Sequence, residues 1–451
     1  MVDTAIYNVT AVTMDSKLRV LKNVTILIEG QEICEIGSDI DIPQGTERIS
    51  GEGKVVMPGL INCHNHAAMS LFRGYSDDVP LDEWLNNYIF PLEAKLVAED
   101  VYIGAKLAAA EMLLSGTTCC FSGYFHADSE AQAFKDMGMR AVIGAPIFSW
   151  DTEKFLKEAK DFIKQYHDTA NSRIRTAIFP HSPYLVGPND FQSVQQTVLE
   201  LNEAMTVPVP VQTHVAETKD EKQKLHAQLR KWKEEDLSIK SNWLKMDIVE
   251  LLDAVGFLST PNLLFGHCVH VTTRDMELMR THNVPVVSVP TSNLKLASGI
   301  APINDFLAKG IQIVLGTDGA ASNNCLDLFD TIKLVALLHK GKNLDPKIIP
   351  ASKALQMATC DGAQAIGWKK LGVLKPGYRA DLIMLDFRKP HLTPCYSEIS
   401  HLVYAANGSD VDFVMIDGQI LVENRTLKHI DLETLLDDVE IHRKQLFEKI
   451  G

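Results

Sequence analysis

The sequence of 451 residues lacks three features, and each absence excludes a class of protein. No apolar run reaches the length of a membrane-spanning helix, and the N-terminus has no apolar signal-peptide core. The eight cysteines include no Cys-x-x-Cys spacing, which is the usage of a reduced intracellular protein. The 44 basic residues are outnumbered by 58 acidic ones, so the net charge of −14 argues against nucleic-acid or anionic-membrane surfaces. We therefore expect a cytoplasmic protein that binds neither nucleic acid nor membranes.

What the chain does contain is a series of eight apolar segments that are typical of buried strands. They span residues 55–63, 116–124, 140–147, 174–181, 207–214, 262–268, 284–290 and 311–317. Helical patterns separate them, and alternation of strand and helix predicts parallel strands with crossover helices. The fold class is therefore α/β, a (β/α)8 TIM-type barrel. An insertion at residues 67–115 follows the first segment, and we expect it to lie over the mouth of the barrel.

The two ends of the chain have a different pattern, with short alternating strands. Two β-rich segments that flank a barrel most simply pair with each other. We therefore predict that residues 1–56 and 371–430 form a small composite β-sandwich. Residues 57–370 would form the barrel, and residues 431–451 a C-terminal helix.

Several predicted barrel strands end on side chains that can hold a metal or move a proton. The residues are His64, His66, His214, His267 and Asp318, with Glu217 three positions after His214. Side chains alternate along a strand, so the first two histidines face the same side. A barrel of this type carries its active site at the carboxyl ends of its strands, so we expect these residues to meet there.

These segments resemble the amidohydrolase superfamily, in particular its deaminase and chlorohydrolase branch. The similarity includes Val-Met-Pro-Gly-Leu-Ile-Asn-Cys-His-Asn-His (56–66), Gly-Thr-Thr (116–118), His-Val-Ala-Glu-Thr (214–218), Gly-His-Cys-Val-His (266–270), Ser-Asn-Leu-Lys-Leu-Ala-Ser-Gly (292–299) and Gly-Thr-Asp-Gly (316–319). Within that branch the chain is most similar to 5-methylthioadenosine/S-adenosylhomocysteine deaminases. This likeness rests on residues 66–78, 81–85 and 90–95.

The resemblance implies a metal site and a set of catalytic residues. The metal ligands are expected to be His64, His66, His214 and Asp318. This set suits zinc with an open position for water, although iron or manganese also fits. Two-metal relatives carry a bridging lysine at the end of the fourth strand, where this chain has His181, so we expect one divalent metal per subunit.

Five side chains are assigned to the reaction and to the substrate. We expect Asp318 to accept a proton from the attacking water, Glu217 to protonate the substrate ring and His267 to steer the water. By resemblance, His181 contacts a purine and Glu93 binds ribose hydroxyls. The alternatives are structural: core histidines for His267 and the metal ligands, a loop carboxylate for Glu217, a surface charge for Glu93 and packing at the barrel mouth for His181.

Two departures from the family pattern concern the distal part of the substrate. Relatives that accept S-adenosylhomocysteine need cations near the third and fourth strands, where this chain offers Arg140, Arg173 and Arg175 at the starts of those strands. The loop after the third strand, residues 148–151, is apolar and acidic. The seventh strand ends Ser-Val-Pro-Thr (288–291), where many relatives have histidine before the proline.

The favoured function is hydrolytic deamination of an adenosine-type nucleoside such as 5′-methylthioadenosine, S-adenosylhomocysteine, adenosine or 5′-deoxyadenosine. Deamination of guanine or cytosine, or dechlorination of a triazine, is the alternative; Glu93 would then have no diol to bind. A non-catalytic scaffold on the same fold is the third, and the complete ligand set argues against it. We expect a homo-oligomer with a small-molecule substrate.

Overall fold

Eight parallel strands form a barrel in the computed structural model, which describes residues 2–235 and 240–449. The strands are Leu60–Asn65, Thr117–Gly123, Arg140–Ile147, Ile174–Pro180, Val211–Val215, Leu263–His267, Val286–Ser288 and Ile313–Leu315. Each pairs with the next along the chain. The first and eighth meet at their carboxyl ends, where the Asp318 amide donates to the His64 carbonyl at 3.0 Å. The predicted barrel is confirmed.

Helices connect the barrel strands and cover the outside of the barrel. They are Ala98–Leu114, Ala127–Asp136, Thr152–Tyr166, Pro188–Ala204, Glu221–Glu235, Ile248–Ala254, Thr273–Thr281, Pro290–Lys295 and Ile303–Ala308. Helix Thr152–Tyr166 shows why they form: the Asp151 side chain caps its first turn, and Ala159, Phe162 and Ile163 supply a buried stripe at helical spacing.

Further helices follow the barrel, and short 3-10 helices lie in the loops. The helices are Ala320–Asn323, Leu328–Asn343, Ala351–Met357, Cys360–Ala365, Glu398–Tyr404 and Leu432–Glu448. The 3-10 helices are Ala67–Phe72, Ser241–Lys245, Phe257–Ser259, Pro390–Leu392 and Gly408–Asp410. The last helix packs on Ala98–Leu114, where His442 Nδ1 lies 2.9 Å from Asp100 Oδ1. None of the described helices is both long and apolar enough to cross a membrane.

The insertion after the first barrel strand folds over the barrel mouth. It contains helices Leu81–Glu83 and Phe90–Glu93 and a π-helix, Trp84–Ile89, between them. Two ion pairs connect it to helices of the barrel: Asp82 with Lys224 on Glu221–Glu235, and Asp77 with Lys295 at the end of Pro290–Lys295. The insertion therefore forms one wall of the space at the barrel mouth.

Both chain ends contribute strands to a second sheet. Within the described residues these are Thr4–Val12, Val20–Glu29, Glu32–Gly37, Glu47–Ser50, Lys54–Pro58, Leu382–Asp386, Val411–Ile416, Gln419–Glu423 and Thr426–Leu427. Lys54–Pro58 joins the two halves, because it pairs parallel to Thr4–Val12 and antiparallel to Leu382–Asp386. The predicted pairing of the ends is confirmed, as one hydrogen-bonded sheet. The boundaries of the domains remain a prediction.

The strand predicted over 55–63 is wrong in one respect. It is two strands in two different sheets, Lys54–Pro58 and Leu60–Asn65, separated at Gly59. A Cβ atom at Gly59 would lie 2.1 Å from Thr118 Oγ1, so only glycine fits where the chain passes between the sheets. The apolar run continues through the junction because both strands are buried.

Candidate active site

The four predicted metal ligands come together at the carboxyl end of the barrel. The Nε2 atoms of His66 and His214 are 3.2 Å apart. Asp318 Oδ1 lies 3.4 Å from His66 Nε2 and 3.6 Å from His64 Nε2. Donor atoms from three strands thus surround one point, as the spacing along the sequence predicts.

The imidazole rings of the three predicted histidine ligands are each fixed by a hydrogen bond at Nδ1, the nitrogen that does not face the cluster. His64 Nδ1 pairs with Gln212 Oε1 at 2.6 Å, His66 Nδ1 with the Gly123 carbonyl at 2.6 Å, and His214 Nδ1 with the His181 carbonyl at 2.8 Å. Carbonyl oxygens only accept, so each Nδ1 carries the proton and each Nε2 offers its lone pair to the centre.

The electrostatics of the cluster suit a cation. Burial lowers the pKa of His64 to about 3, although Asp318 opposes the shift, and burial also holds the pKa of His214 well below its usual value. Burial alone would raise the pKa of Asp318, but His66, His64 and His267 and the hydrogen bond from Ser292 together lower it. His64 and His214 are therefore neutral, and Asp318 is ionised.

An unsatisfied atom tests whether a metal fits this arrangement. His64 Nε2 is buried and has no hydrogen-bond partner among the described residues. Such a buried lone pair is costly unless something binds it. Three imidazoles and a carboxylate are a typical catalytic zinc set, so the residues fit one divalent metal.

Glu217 reaches the site through a strained turn after the fifth strand. Ala216 has a φ of 51°, in the left-handed region. The two Glu221 oxygens accept hydrogen bonds from the Ala216 and Glu217 amides at 2.9 and 2.7 Å. Burial raises the pKa of the Glu217 carboxyl group.

His267 lies beside Glu217 at the end of the sixth strand. Its Nδ1 is 2.9 Å from Asn293 Oδ1 and 3.7 Å from Glu217 Oε1. Burial would lower the pKa of His267, but the carboxylates of Glu217 and Asp318 outweigh it and raise the pKa. Its φ of 65° and the 64° of Asp318 show backbone strain at two strand ends, which is common at functional sites.

All predicted site residues except His64 line one cavity, and His64 lies buried beneath it. The wall given by the insertion consists of Met69, Leu81, Trp84, Leu85, Phe90 and Glu93. The cavity thus has a polar floor and a largely apolar upper wall.

Glu93 lies on the cavity wall given by the insertion, whereas the centre of the His181 ring lies 4.8 Å from that of the predicted ligand His214. Glu93 Oε1 accepts a hydrogen bond from the Tyr124 hydroxyl at 2.7 Å, and burial raises the pKa of Glu93 to about 7. The His181 ring lies 5.2 Å from the Phe148 ring, which stacks on Trp150 at 4.1 Å. Burial lowers the pKa of His181 to about 3, so a neutral imidazole faces the cavity.

The three arginines considered as carboxylate binders lie elsewhere. Arg140 is completely buried and paired with Asp381 at 2.8 Å and Asp417 at 2.6 Å, where the barrel meets the second sheet. Arg175 stacks on Trp368 at 3.5 Å. The lining residues of the cavity, taken over the described chain, include no lysine or arginine.

Several functional contacts lie outside the predicted set: Gln212, Asn293, Ser292, Tyr124 and Glu221. Ser292 Oγ donates to Asp318 Oδ2 at 2.6 Å. The role of Gln212 could have been predicted from the sequence. It stands two positions before His214 in a largely apolar strand, so the two side chains share one face.

Comparison with known proteins identifies the family and shows deaminases among the relatives. The sequence model of the Amidohydrolase family matches residues 55–421, so the chain belongs to this family. It is 42% identical over 450 residues to a 5′-deoxyadenosine deaminase from Methanosarcina acetivorans, covering 99% of both chains. It is 40% identical over 432 residues to a 5-methylthioadenosine/S-adenosylhomocysteine deaminase from Dictyoglomus turgidum, covering 95% of this chain and 96% of that one.

Solved structures share the fold. An adenosine deaminase from Xanthomonas campestris with bound zinc superimposes with a TM-score of 0.88 at 30% identity, covering 99% of each chain. An atrazine chlorohydrolase from Arthrobacter aurescens complexed with zinc gives 0.86 at 23% identity, covering 98% of this chain and 100% of that one. At that identity the second similarity shows the fold alone.

Proposed function

We propose that the protein is a metal-dependent hydrolytic deaminase that converts an adenosine-type nucleoside into its inosine analogue and ammonia. The candidates are 5′-methylthioadenosine, S-adenosylhomocysteine, adenosine and 5′-deoxyadenosine. The observation that carries the proposal is that Glu93, from the insertion, shares one cavity with the ligand cluster and Glu217. The deaminases among the relatives support the reaction.

The residues around the cluster divide the proton transfers between them. A divalent metal held by His64, His66, His214 and Asp318, most simply zinc, would supply Lewis-acid activation of a water molecule. Asp318 is ionised, so it can accept the proton that the water loses. Glu217, whose pKa is raised, keeps its proton longer and suits donation to a ring nitrogen of the purine. That protonation makes the neighbouring ring carbon electrophilic.

His267 acts on the attacking water from the side. Its Nδ1 is bound to Asn293, which fixes the ring where it lines the cavity. A water molecule held there is oriented toward the purine carbon. Addition of water and loss of the amino group, which takes up a proton, then give the keto product and ammonia.

The distal wall would hold the rest of the nucleoside. The neutral ring of His181 can contact the purine. Glu93 can accept hydrogen bonds from the 2′ and 3′ hydroxyls, with Tyr124 fixing the carboxyl group at 2.7 Å. On the grounds of sequence we also propose that the protein is a cytoplasmic homo-oligomer.

A substrate panel tests the proposal. Zinc-replete protein is incubated with the four nucleosides, with adenine, guanine and cytosine, and with a chlorotriazine, while ammonia or chloride release is measured. We expect turnover of adenosine-type nucleosides. Turnover of free bases or triazines alone would contradict the proposal and favour the alternative enzymes, in which Glu93 faces no diol.

A further inference from the structure

A fully buried carboxylate lies beside the ligand cluster and has no part in the proposed reaction. Glu130, on helix Ala127–Asp136, is 0% exposed. Its Oε1 accepts a hydrogen bond from Ser122 Oγ at 2.7 Å, whereas its Oε2 has no hydrogen-bond partner among the described residues. A buried, half-satisfied carboxyl group costs stability, so an apolar side chain would serve simple packing better.

Ser122 connects this carboxylate to the backbone next to a predicted ligand. Ser122 Oγ accepts a hydrogen bond from the Ala67 amide at 3.0 Å. Ala67 directly follows His66 and begins the 3-10 helix Ala67–Phe72. The first amides of a helix need acceptors, and His66, at the N-cap position, makes no side-chain capping bond. Ser122 therefore supplies the acceptor from another strand.

Gly123, the residue after Ser122, binds the imidazole ring of His66. The Gly123 carbonyl binds His66 Nδ1 at 2.6 Å, so His66 is not free to cap its own helix. Ser122 and Gly123 thus fix the position of His66 at two points, the peptide that follows it and the imidazole itself. A shift of this strand end would move the Nε2 atom that faces the cluster.

We propose that Glu130 and Ser122 are a positioning pair that sets the affinity of the metal site through His66. The Ser122 hydroxyl donates a hydrogen bond to Glu130. This orientation of the hydroxyl directs a lone pair of Ser122 Oγ toward the Ala67 amide. Coupling of the two hydrogen bonds strengthens both. The inference rests on the proposed role of His66 as a metal ligand. Neither residue touches the substrate.

The zinc dissociation constant is the test, measured by competition with a chromogenic chelator. Ser122→Ala and Glu130→Ala should weaken zinc binding about tenfold to a hundredfold, the usual effect of losing such a supporting contact. Glu130→Gln keeps an acceptor for Ser122 and should lose less. If Glu130→Ala does not fold, Ser122→Ala carries the test alone.

A matched control separates positioning from plain stability. Thr272 Oγ1 likewise donates to a buried carboxylate, that of Asp275, at 2.9 Å, and accepts a backbone amide at 3.1 Å at a helix start outside the cavity lining. Thr272→Ala should lower the melting temperature of the metal-free protein without changing zinc affinity.

The outcomes distinguish the two proposals. Wild-type zinc affinity in Ser122→Ala and Glu130→Ala, with only a loss of stability like that of Thr272→Ala, overturns the positioning pair. If His66→Ala also leaves zinc affinity unchanged, the proposed ligand set itself fails. Weakened binding in His66→Ala, Ser122→Ala and Glu130→Ala together supports both.

Discussion

Replacing Glu93 tests whether the substrate carries a ribose diol. The Glu93 carboxylate already accepts one hydrogen bond, from the Tyr124 hydroxyl at 2.7 Å, and the residue lines the cavity. A hydrogen bond to a charged group contributes about 1.5–3 kcal/mol. Since about 1.4 kcal/mol corresponds to a factor of ten, Glu93→Ala should reduce kcat/KM for 5′-deoxyadenosine about tenfold to a hundredfold. Glu93→Gln, which keeps one acceptor, should lose less.

The assay compares each nucleoside with its 2′,3′-dideoxy analogue, following ammonia release. Glu93→Ala should have little further effect on the analogue, because the diol is already missing. Tyr124→Phe should give a smaller loss on the nucleoside, since it removes the hydroxyl that fixes Glu93 and keeps the Glu93 carboxyl group. Metal content should stay at the wild-type level in both variants. An equal loss on nucleoside and analogue, or no loss on any accepted nucleoside, would refute the reasoning.

The pH dependence gives an independent test of the same contact. Burial raises the pKa of Glu93 to about 7, so in the free enzyme the carboxyl group is ionised above that pH and protonated below it. The charge-assisted bond to the diol is therefore weakened as the pH falls through 7. The ratio of kcat/KM for the nucleoside to that for the dideoxy analogue should fall with it. In Glu93→Gln this ratio should not change with pH.

Three further perturbations test the metal site, the proton donor and the junction between the sheets. Elemental analysis should find about one divalent metal per chain, and His64→Ala/His66→Ala should lose it; two metals per chain would contradict the ligand set. Glu217→Gln should lower turnover at least about 10²-fold with metal content intact, and a wild-type rate would place the proton donor elsewhere. Arg140→Met leaves the buried Asp381 without its cation and Asp417 with Arg379 alone, at 3.4 Å, so the free energy of unfolding should fall by about 3–5 kcal/mol in denaturant titrations; an unchanged value would show that these ion pairs contribute nothing.

The barrel could be predicted because its strands are short apolar runs with chemically active residues at their ends. The match is within a few residues for most strands. The error at Gly59 has a physical origin: hydrophobicity reports burial, and both Lys54–Pro58 and Leu60–Asn65 are buried, one in each sheet. Nothing in the pattern of apolar residues says which sheet buries them. The close approach of Thr118, which forces the break, is a tertiary contact.

The candidate site, too, could be predicted only in part. The shared face of His64 and His66 could be predicted because alternation along a strand is a local rule. The contacts that orient them are not local: Gln212 lies 148 positions from His64 in the sequence, and Gly123 lies 57 from His66. Ser122 and Glu130 are eight positions apart, yet their connection to His66 depends on the pairing of the first two barrel strands. Such residues look like ordinary strand and helix positions until the sheet is assembled.

The two carboxyl groups that we propose as proton acceptor and proton donor differ in the direction of their pKa shifts. Asp318 and Glu217 are both buried, and burial raises the pKa of each. Asp318 has the imidazoles of His66, His64 and His267 next to it and a hydrogen bond from Ser292, which together lower its pKa below the usual value. Glu217 has His267 beside it, which does not overcome its burial. Environments that separate two pKa values in this way mark an acid and a base. The two pKa shifts have opposite directions, which agrees with the opposite roles that we propose for the two residues.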